Sequence, residues 1–265
     1  MRMASIVSGS SGNCIYVGSN RGNILIDAGV SKRKIEEGLY IHNINPKEID
    51  GIFITHEHSD HINGLGVFTR KYPVHIYGTK ETLLSIKQSC KLGKIDKDLF
   101  CEIEPDEDFQ VKDLTIKPFK ISHDALNPVA YRVEDGKHAV AVATDMGTYN
   151  DYVVSNLKNL DMLLLEANHD VNMLQVGAYP YHLKQRILGN RGHLSNEMSG
   201  RLLCEILHDH LKKIMLGHLS KENNYAQLAY ETVKTEITVS DNQYRADDFN
   251  IEVAKRDESS TLVEF

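Results

Sequence analysis

The chain has 265 residues, of which 41% are hydrophobic and 25% charged, and its formal net charge at pH 7 is −7. Those proportions describe a folded globule and exclude a disordered tail, a fibrous repeat and a globally basic nucleic-acid binder, so any polyanion must be met by a local basic face. No apolar run approaches the roughly 20 residues of a bilayer span, and the length suits one domain over 1–265 in two halves, 1–135 and 136–265.

The opening residues read as short strands. Ala4–Val7, Cys14–Val17 and Ile24–Ile26 are apolar runs, with a turn at Ser19–Asn23. Between the first two lies Ser8-Gly9-Ser10-Ser11-Gly12-Asn13. Its donors, Ser11 and Asn13 among them, suit either a phosphate cradle for substrate or a plain hairpin connection. Asp27 ends the third run, where a carboxylate can orient a metal-binding imidazole from behind. Ser31 caps a helix to about His42, and Pro46 and Asp50 mark the turn into the next strand.

That strand, Ile52-Phe53-Ile54-Thr55, runs into His56-Glu57-His58-Ser59-Asp60-His61. Alternate side chains of an extended chain point the same way, so His56 and His58 can aim at one cation. A helix beginning near Asp60 would turn Asp60 and His61 toward a second, adjacent one. A solvated histidine-rich loop is the bland alternative. Four ligand-type residues in this order, straight after a buried strand, argue against it.

A helix over 62–72, the strand Val74–Tyr77 and a helix from Thr79 to about Ser89 lead into an acidic surface stretch, 90–113. Leu114–Ile121 reads as an edge or bulged strand because of Pro118, and it ends at Ser122-His123. Val129–Val133 and Ala139–Ala143 flank a turn at Asp135-Gly136, and the second ends at Thr144-Asp145. Thr148 caps a helix to about Leu160, and Met162–Leu165 is a buried strand ending at Glu166. Helices are expected near 169–176, 180–188 and 195–211, then a strand Lys213–Leu216 ending at Gly217-His218. A helix over 222–236 and short strands at Asn250–Ala254 and Thr261–Phe265 close the chain. Cys14, Cys90, Cys101 and Cys204 form no C-x-x-C pair and read as reduced thiols, which points to the cytoplasm.

Six apolar runs therefore end in a ligand or proton-transfer type of residue: Asp27, His56, His123, Asp145, Glu166 and His218. Sites in sheet proteins gather where strand ends meet. Any one of these residues has a bland reading, since His123 alone fits a surface and Asp145 alone fits a helix cap. Together they complete two cation sites, with His56, His58 and His123 in one, Asp60, His61 and His218 in the other, and Asp145 bridging. Imidazoles and carboxylates without a cysteine suit Zn²⁺ or Mn²⁺. Two such ions about 3.5–4 Å apart can share a water, bring its pKa toward neutrality and favour attack on a phosphodiester or a polarised carbonyl.

His56-x-His58-x-Asp60-His61, with Asp27 before it and His123, Asp145 and His218 after it, resembles the metallo-β-lactamase superfamily over nearly the whole chain. The resemblance implies an α/β fold, a four-layer αββα sandwich of two facing mixed sheets with helices outside and the metals at one edge. True β-lactamases with a cysteine ligand carry it where Asp145 stands, so antibiotic hydrolysis is not implied. The Asp145–His218 separation is too short for the inserted domain of the RNase J and cleavage-factor nucleases. Leu165-Glu166-Ala167 and Gly192-His193-Leu194-Ser195 are similar to two RNase Z motifs whose Glu–His pair helps protonate the leaving oxygen; Asn168 and Leu194 depart from that pattern. The likeness implies catalytic roles for Glu166 and His193 beside the ligand Asp60. The Ser8–Asn13 loop, Ser122-His123-Asp124-Ala125, Leu165–Asp170, Gly192–Asn196 and Leu216–Ser220 resemble the YycJ/WalJ group. That group implies a 5′-to-3′ DNA exonuclease with ties to DNA repair and cell-wall signalling.

From Val171 through Asn196 there is no acidic residue, while Lys184, Arg186 and Arg191 stand among Tyr179 and Tyr181. These cations could hold a phosphate backbone and a tyrosine could stack a base, unless they form only a mildly basic helix face. His169 fits a substrate contact, a support behind the ligands or a helix start. The same ligands would also serve a thioester or lactone hydrolase of the glyoxalase II kind, which gives no reason for the acid-free stretch. A non-catalytic regulatory protein would have no need of the intact ligand set.

Overall fold

A computed structural model describes residues 1–265 as two seven-stranded sheets packed face to face. The first takes β1 (Arg2–Val7), β2 (Cys14–Gly18), β3 (Asn23–Ile26), β4 (Gly51–Phe53), β5 (Ile76–Gly78) and β6 (Phe100–Glu102). The second takes β7 (Phe109–Val111), β8 (Leu114–Lys120), β9 (Val129–Glu134), β10 (Ala139–Ala143), β11 (Met162–Glu166), β12 (Lys213–Gly217) and β13 (Ile251–Val253). The last strand, β14 (Val263–Glu264), returns to the first sheet and pairs antiparallel with β1. Each sheet is mixed: β3 to β6 run parallel, as do β10 to β13, while β1–β2–β3 and β7–β8–β9–β10 are antiparallel.

Strand alternation divides the apolar residues among three cores. Ile24 and Ile26 of β3, Val140 and Val142 of β10, and Met162 and Leu164 of β11 meet between the sheets. Leu25 turns outward, onto α1 (Lys32–Ile41), α3 (Leu65–Lys71) and α4 (Lys80–Gln88). Ala139, Ala141 and Ala143, with Leu163 and Leu165, turn the other way, onto α5 (Asp151–Leu157), α8 (Asn196–Ile206) and α9 (Ala226–Val239). The four layers are therefore α, β, β and α, as the family resemblance implied. The short helices α2 (Ser59–Ile62), α6 (Val171–Val176) and α7 (Tyr181–Leu188) complete the helical complement, α2 adding Ile62 to the core under α1 and α3. No helix is long and apolar enough to cross a membrane.

Three local expectations shift. The strand holding Pro118 is interior, because β8 pairs with both β7 and β9. β7 covers only Leu114 to Ile116, so the face where proline lacks its donor is locally an edge. Helix α5 is capped by Asn150 rather than Thr148, since the Asn150 side chain accepts from Val153 N. Helix α9 starts at Ala226 because Asn224 is spent on the Ala167 and Asn168 carbonyls, which ties 222–225 to the end of β11.

Candidate metal centre

The parallel strands of both sheets deliver their carboxyl ends to one edge, and the ligand-type residues sit just beyond them. Asp27, Asp145 and His218 each leave their strand in the left-handed region, with φ of 62°, 63° and 54°. Side-chain-bearing residues pay a steric penalty there, and such positions cluster at functional sites. The turn re-aims each side chain across the edge instead of along the sheet face. Both backbone groups of His218 are held by side chains: its N–H donates to Ser8 Oγ (2.9 Å) and its carbonyl accepts from Asn168 Nδ2 (2.8 Å).

Donor atoms gather in four overlapping groups, His56–His58–His123, Asp60–His61–His218, His56–His61–Asp145 and Asp145–Glu166–His193–His218, each with its ligand atoms within 4.8 Å of one another. Asp145 touches the first two as well. Its Oδ1 is 3.7 Å from His123 Nε2 and 3.3 Å from His218 Nε2, and its Oδ2 is 3.2 Å from His61 Nε2. His58 Nδ1 lies 3.2 Å from His123 Nε2, and His61 Nε2 lies 3.4 Å from Asp60 Oδ2. Donors at 2.0–2.1 Å around a tetrahedral ion stand roughly 3.3 Å apart, so these spacings fit a divalent cation.

Two further observations support that fit. His56 Nε2 is buried without a hydrogen-bond partner, and so is Asp145 Oδ2, whose contact with His61 is not aligned for one. Such orphans are costly unless something absent from the polypeptide satisfies them. The far sides of the rings are also anchored. Asp27 Oδ2 takes His61 Nδ1 at 2.7 Å, Thr55 Oγ1 stands 3.0 Å from His56 Nδ1, and the Gly192 carbonyl takes His123 Nδ1 at 3.1 Å. Thr55 in turn donates its N–H and hydroxyl to Asp27. Protons fixed on those nitrogens leave the opposite ones for a cation. Burial opposes charge throughout, yet the His218 and His61 imidazoles hold the Asp145 carboxyl well below its usual range. His61 is pushed well above its own range: burial opposes this, but Asp145, Asp27 and Asp60 outweigh it. A negative field strong enough to keep a proton on a fully buried imidazole is one a cation can occupy in its place.

Beside this cluster, His193 Nδ1 meets Glu166 Oε1 at 2.7 Å and Asp145 Oδ1 at 3.6 Å. Glu166 is fully buried, and its other oxygen accepts from Met146 N (2.8 Å) and Leu194 N (3.2 Å). Burial favours neutral His193, but the Glu166 carboxylate prevails and lifts its pKa to about 9. His193 Nε2 has no partner in the protein, and the ring borders a cavity of about 260 Å³.

The remaining expected residues are placed unevenly. Ser11 is exposed at the loop tip. Asn13 is buried, holding the Gly9 amide and carbonyl, with its Nδ2 turned inward to His61 Nε2 (3.2 Å) and His218 Nδ1 (3.1 Å). His169 is also buried, its ring nitrogens unpartnered, and burial with nearby His193 lowers its pKa to about 4. The acid-free stretch is less free than its sequence suggests. Lys184 caps the Gln175 carbonyl (2.7 Å), Arg186 is paired through two nitrogens with Asp124, and Arg191 holds the His123 (3.0 Å) and Ala125 (3.4 Å) carbonyls. Thr55, Ser8 and Asn168 were not singled out in the sequence. Ser8 and Asn168 stood inside recognised motifs, and Thr55 directly precedes His56.

A family model described as the β-lactamase superfamily domain matches residues 22–250. An exodeoxyribonuclease WalJ of Streptococcus pneumoniae serotype 2 is 41% identical over 236 residues, 89% of this chain and 88% of that protein. An exodeoxyribonuclease YycJ of Bacillus anthracis is 35% identical over 233 residues, 88% of each. Among solved structures, the metallo-β-lactamase fold protein YhfI from Bacillus subtilis superposes with a TM-score of 0.70 at 19% identity, covering 98% of this chain and 99% of its own.

Proposed function

Because the chain belongs to the metallo-β-lactamase superfamily, in its WalJ/YycJ-like group, we propose that it is a metal-dependent DNA exonuclease digesting from 5′ ends. The observation that carries this reading is Asp145 standing in contact with both the His56–His58–His123 and the Asp60–His61–His218 donors, beside the His193–Glu166 pair. His56, His58 and His123 would hold one divalent cation, Asp60, His61 and His218 a second, and Asp145 would reach both, with Zn²⁺ or Mn²⁺ matching the donors. Cations bound there supply Lewis acidity toward a phosphodiester and an acidified water as the nucleophile.

The chain's own residues account for the rest. Asp27, Thr55 and the Gly192 carbonyl keep the imidazoles oriented, so little reorganisation accompanies the reaction. His193, kept protonated by Glu166, gives its Nε2 proton to the oxygen that leaves phosphorus. Asp60 is the more exposed of the two aspartate ligands, 22% against 3% for Asp145. The exposed Ser11 follows Ser10, which lines the cavity. Arg186 reaches a phosphate only by exchanging Asp124 for it. Four unpaired cysteines suit a reducing compartment such as the cytoplasm.

The test is incubation with 5′-phosphorylated and unphosphorylated duplex DNA, single-stranded DNA and RNA, with Mn²⁺ or Zn²⁺ and a chelator control. Chelator-sensitive release of mononucleotides from DNA 5′ ends is expected. Thioester or lactone turnover without nuclease activity would replace this reading with a small-molecule hydrolase.

A further inference from the structure

The cavity beside His193 is lined by Ser10 of the loop between β1 and β2, Ser220 beyond β12, Tyr179 and Arg186, among others. At about 260 Å³ it is smaller than the ~300–1,000 Å³ typical of sites for drug-sized ligands, so only the end of a strand fits and the rest must cross the rim. The rim needs a cation for that crossing, and the arginines expected to supply one are engaged. Arg186 is held by Asp124 and Arg191 by two carbonyls.

Another arginine, from far along the chain, lines a neighbouring surface cavity with Lys221, Tyr225 and Asp257 and touches this one through Ser220. Arg256, just past β13, is half-buried and donates from Nη2 to the carbonyl of Ser220, two residues beyond His218. Its aliphatic stem lies over Gly9, where a Cβ would stand 2.9 Å from Arg256 Cγ. Glycine at that position leaves the stem room to cross the Ser8–Asn13 loop. The guanidinium forms no ion pair: Glu222 and Asp257 act on it only at longer range, and Asp257 is held by Lys34 at 2.7 Å. One of its five donors is used, and a planar fork with spare donors matches a phosphate.

Resting on the exonuclease reading, we infer that Arg256 binds the backbone phosphate next to the one under attack, where the strand leaves the cavity over Ser220. The residue sets affinity for a polymer and takes no part in the chemistry.

Arg256→Gln keeps a donor for the Ser220 carbonyl and removes the charge; Arg256→Lys keeps the charge and loses the fork. Cleavage of a 5′-phosphorylated single-stranded oligodeoxynucleotide by the Mn²⁺-loaded protein is followed across a salt series, with melting temperature as the folding check. Arg256→Gln is expected to raise KM about tenfold with kcat within about twofold, and to flatten the slope of log kcat/KM against log salt by about 0.7, the value for one phosphate contact on a single strand. Arg256→Lys is expected to recover the slope. Arg256→Gln with wild-type KM and wild-type slope overturns the assignment alone, as does a fall in kcat that leaves the slope intact. Wild-type protein that cleaves no DNA overturns the exonuclease reading together with this one.

Discussion

Replacing His193 with alanine tests its proton-donor role. The ring is absent from the His56–His58–His123 and Asp60–His61–His218 groups but stands in a further group with Asp145, Glu166 and His218, so metal content is measured beside activity; the ring also lines the cavity. His193→Ala leaves Glu166 with its two backbone donors, Met146 N and Leu194 N, but strips Oε1 of its partner at 2.7 Å. An unpaired buried oxygen costs about 1–3 kcal/mol, which lowers melting by several degrees without unfolding the protein. Loss of a positioned general acid costs about a hundred- to ten-thousand-fold in kcat, or about 2.7–5.4 kcal/mol. That loss belongs to substrates whose leaving oxygen needs a proton. Deoxyribose oxygen needs one, whereas nitrophenolate departs without it. The assay is kcat of wild type and His193→Ala on DNA and on bis(p-nitrophenyl) phosphate at equal Mn²⁺ occupancy. The nitrophenyl ester should lose less than about tenfold while DNA loses at least a hundredfold. Equal losses on both substrates would refute the proton-donor role.

Asp27→Asn weakens the 2.7 Å anchor on His61 Nδ1 and the pair of contacts to Thr55, and should lower metal affinity about 10–100-fold in competition with a chromophoric chelator; unchanged affinity would remove Asp27 from the site. At Gly29 an added Cβ would stand 1.7 Å from the Asp60 carbonyl oxygen, so Gly29→Ala must displace the loop carrying Asp60 and should cost both metal affinity and melting temperature, whereas a wild-type melt would contradict the close approach. Away from the site, hydrogen bonds from Lys71, Tyr72 and Lys32 hold Glu36 down to about 2. A depressed carboxylate contributes its stability above its unfolded pKa of about 4.3 and loses it as pH falls toward the folded value. Glu36→Gln should therefore cost about 1 kcal/mol at pH 7 after solvent screening, and progressively less as pH falls through the folded value near 2, in urea titrations; a cost independent of pH would contradict the ion-pair network.

The strand ends were legible because a buried strand leaves only its terminus free for chemistry, so a histidine or aspartate there stands out against an apolar run. Ala139–Ala143 followed by Asp145, and Lys213–Leu216 followed by His218, are the clearest cases. Partnership across the chain was not legible. Nothing local tells Arg191 that its acceptors are the His123 and Ala125 carbonyls, or Arg186 that its partner is Asp124, which lies outside the acid-free stretch. Asn13 had the composition of a phosphate cradle, and only the fold shows its amide turned inward to His61 and His218. Pro118 signalled an edge correctly in kind but not in extent, since an interior strand is locally an edge where a short neighbour stops. Arg256 has no motif around it, and its place over Gly9 depends on β13 lying beside β12.

Two cations sharing one aspartate is the arrangement on which the proposed chemistry turns, and anomalous diffraction sees it directly. Crystals soaked in Mn²⁺ or Zn²⁺ and measured at the metal edge should give two peaks, one among His56, His58 and His123, the other among Asp60, His61 and His218, with Asp145 between them. A single peak, or imidazoles of His123 and His218 turned away from both, would contradict it.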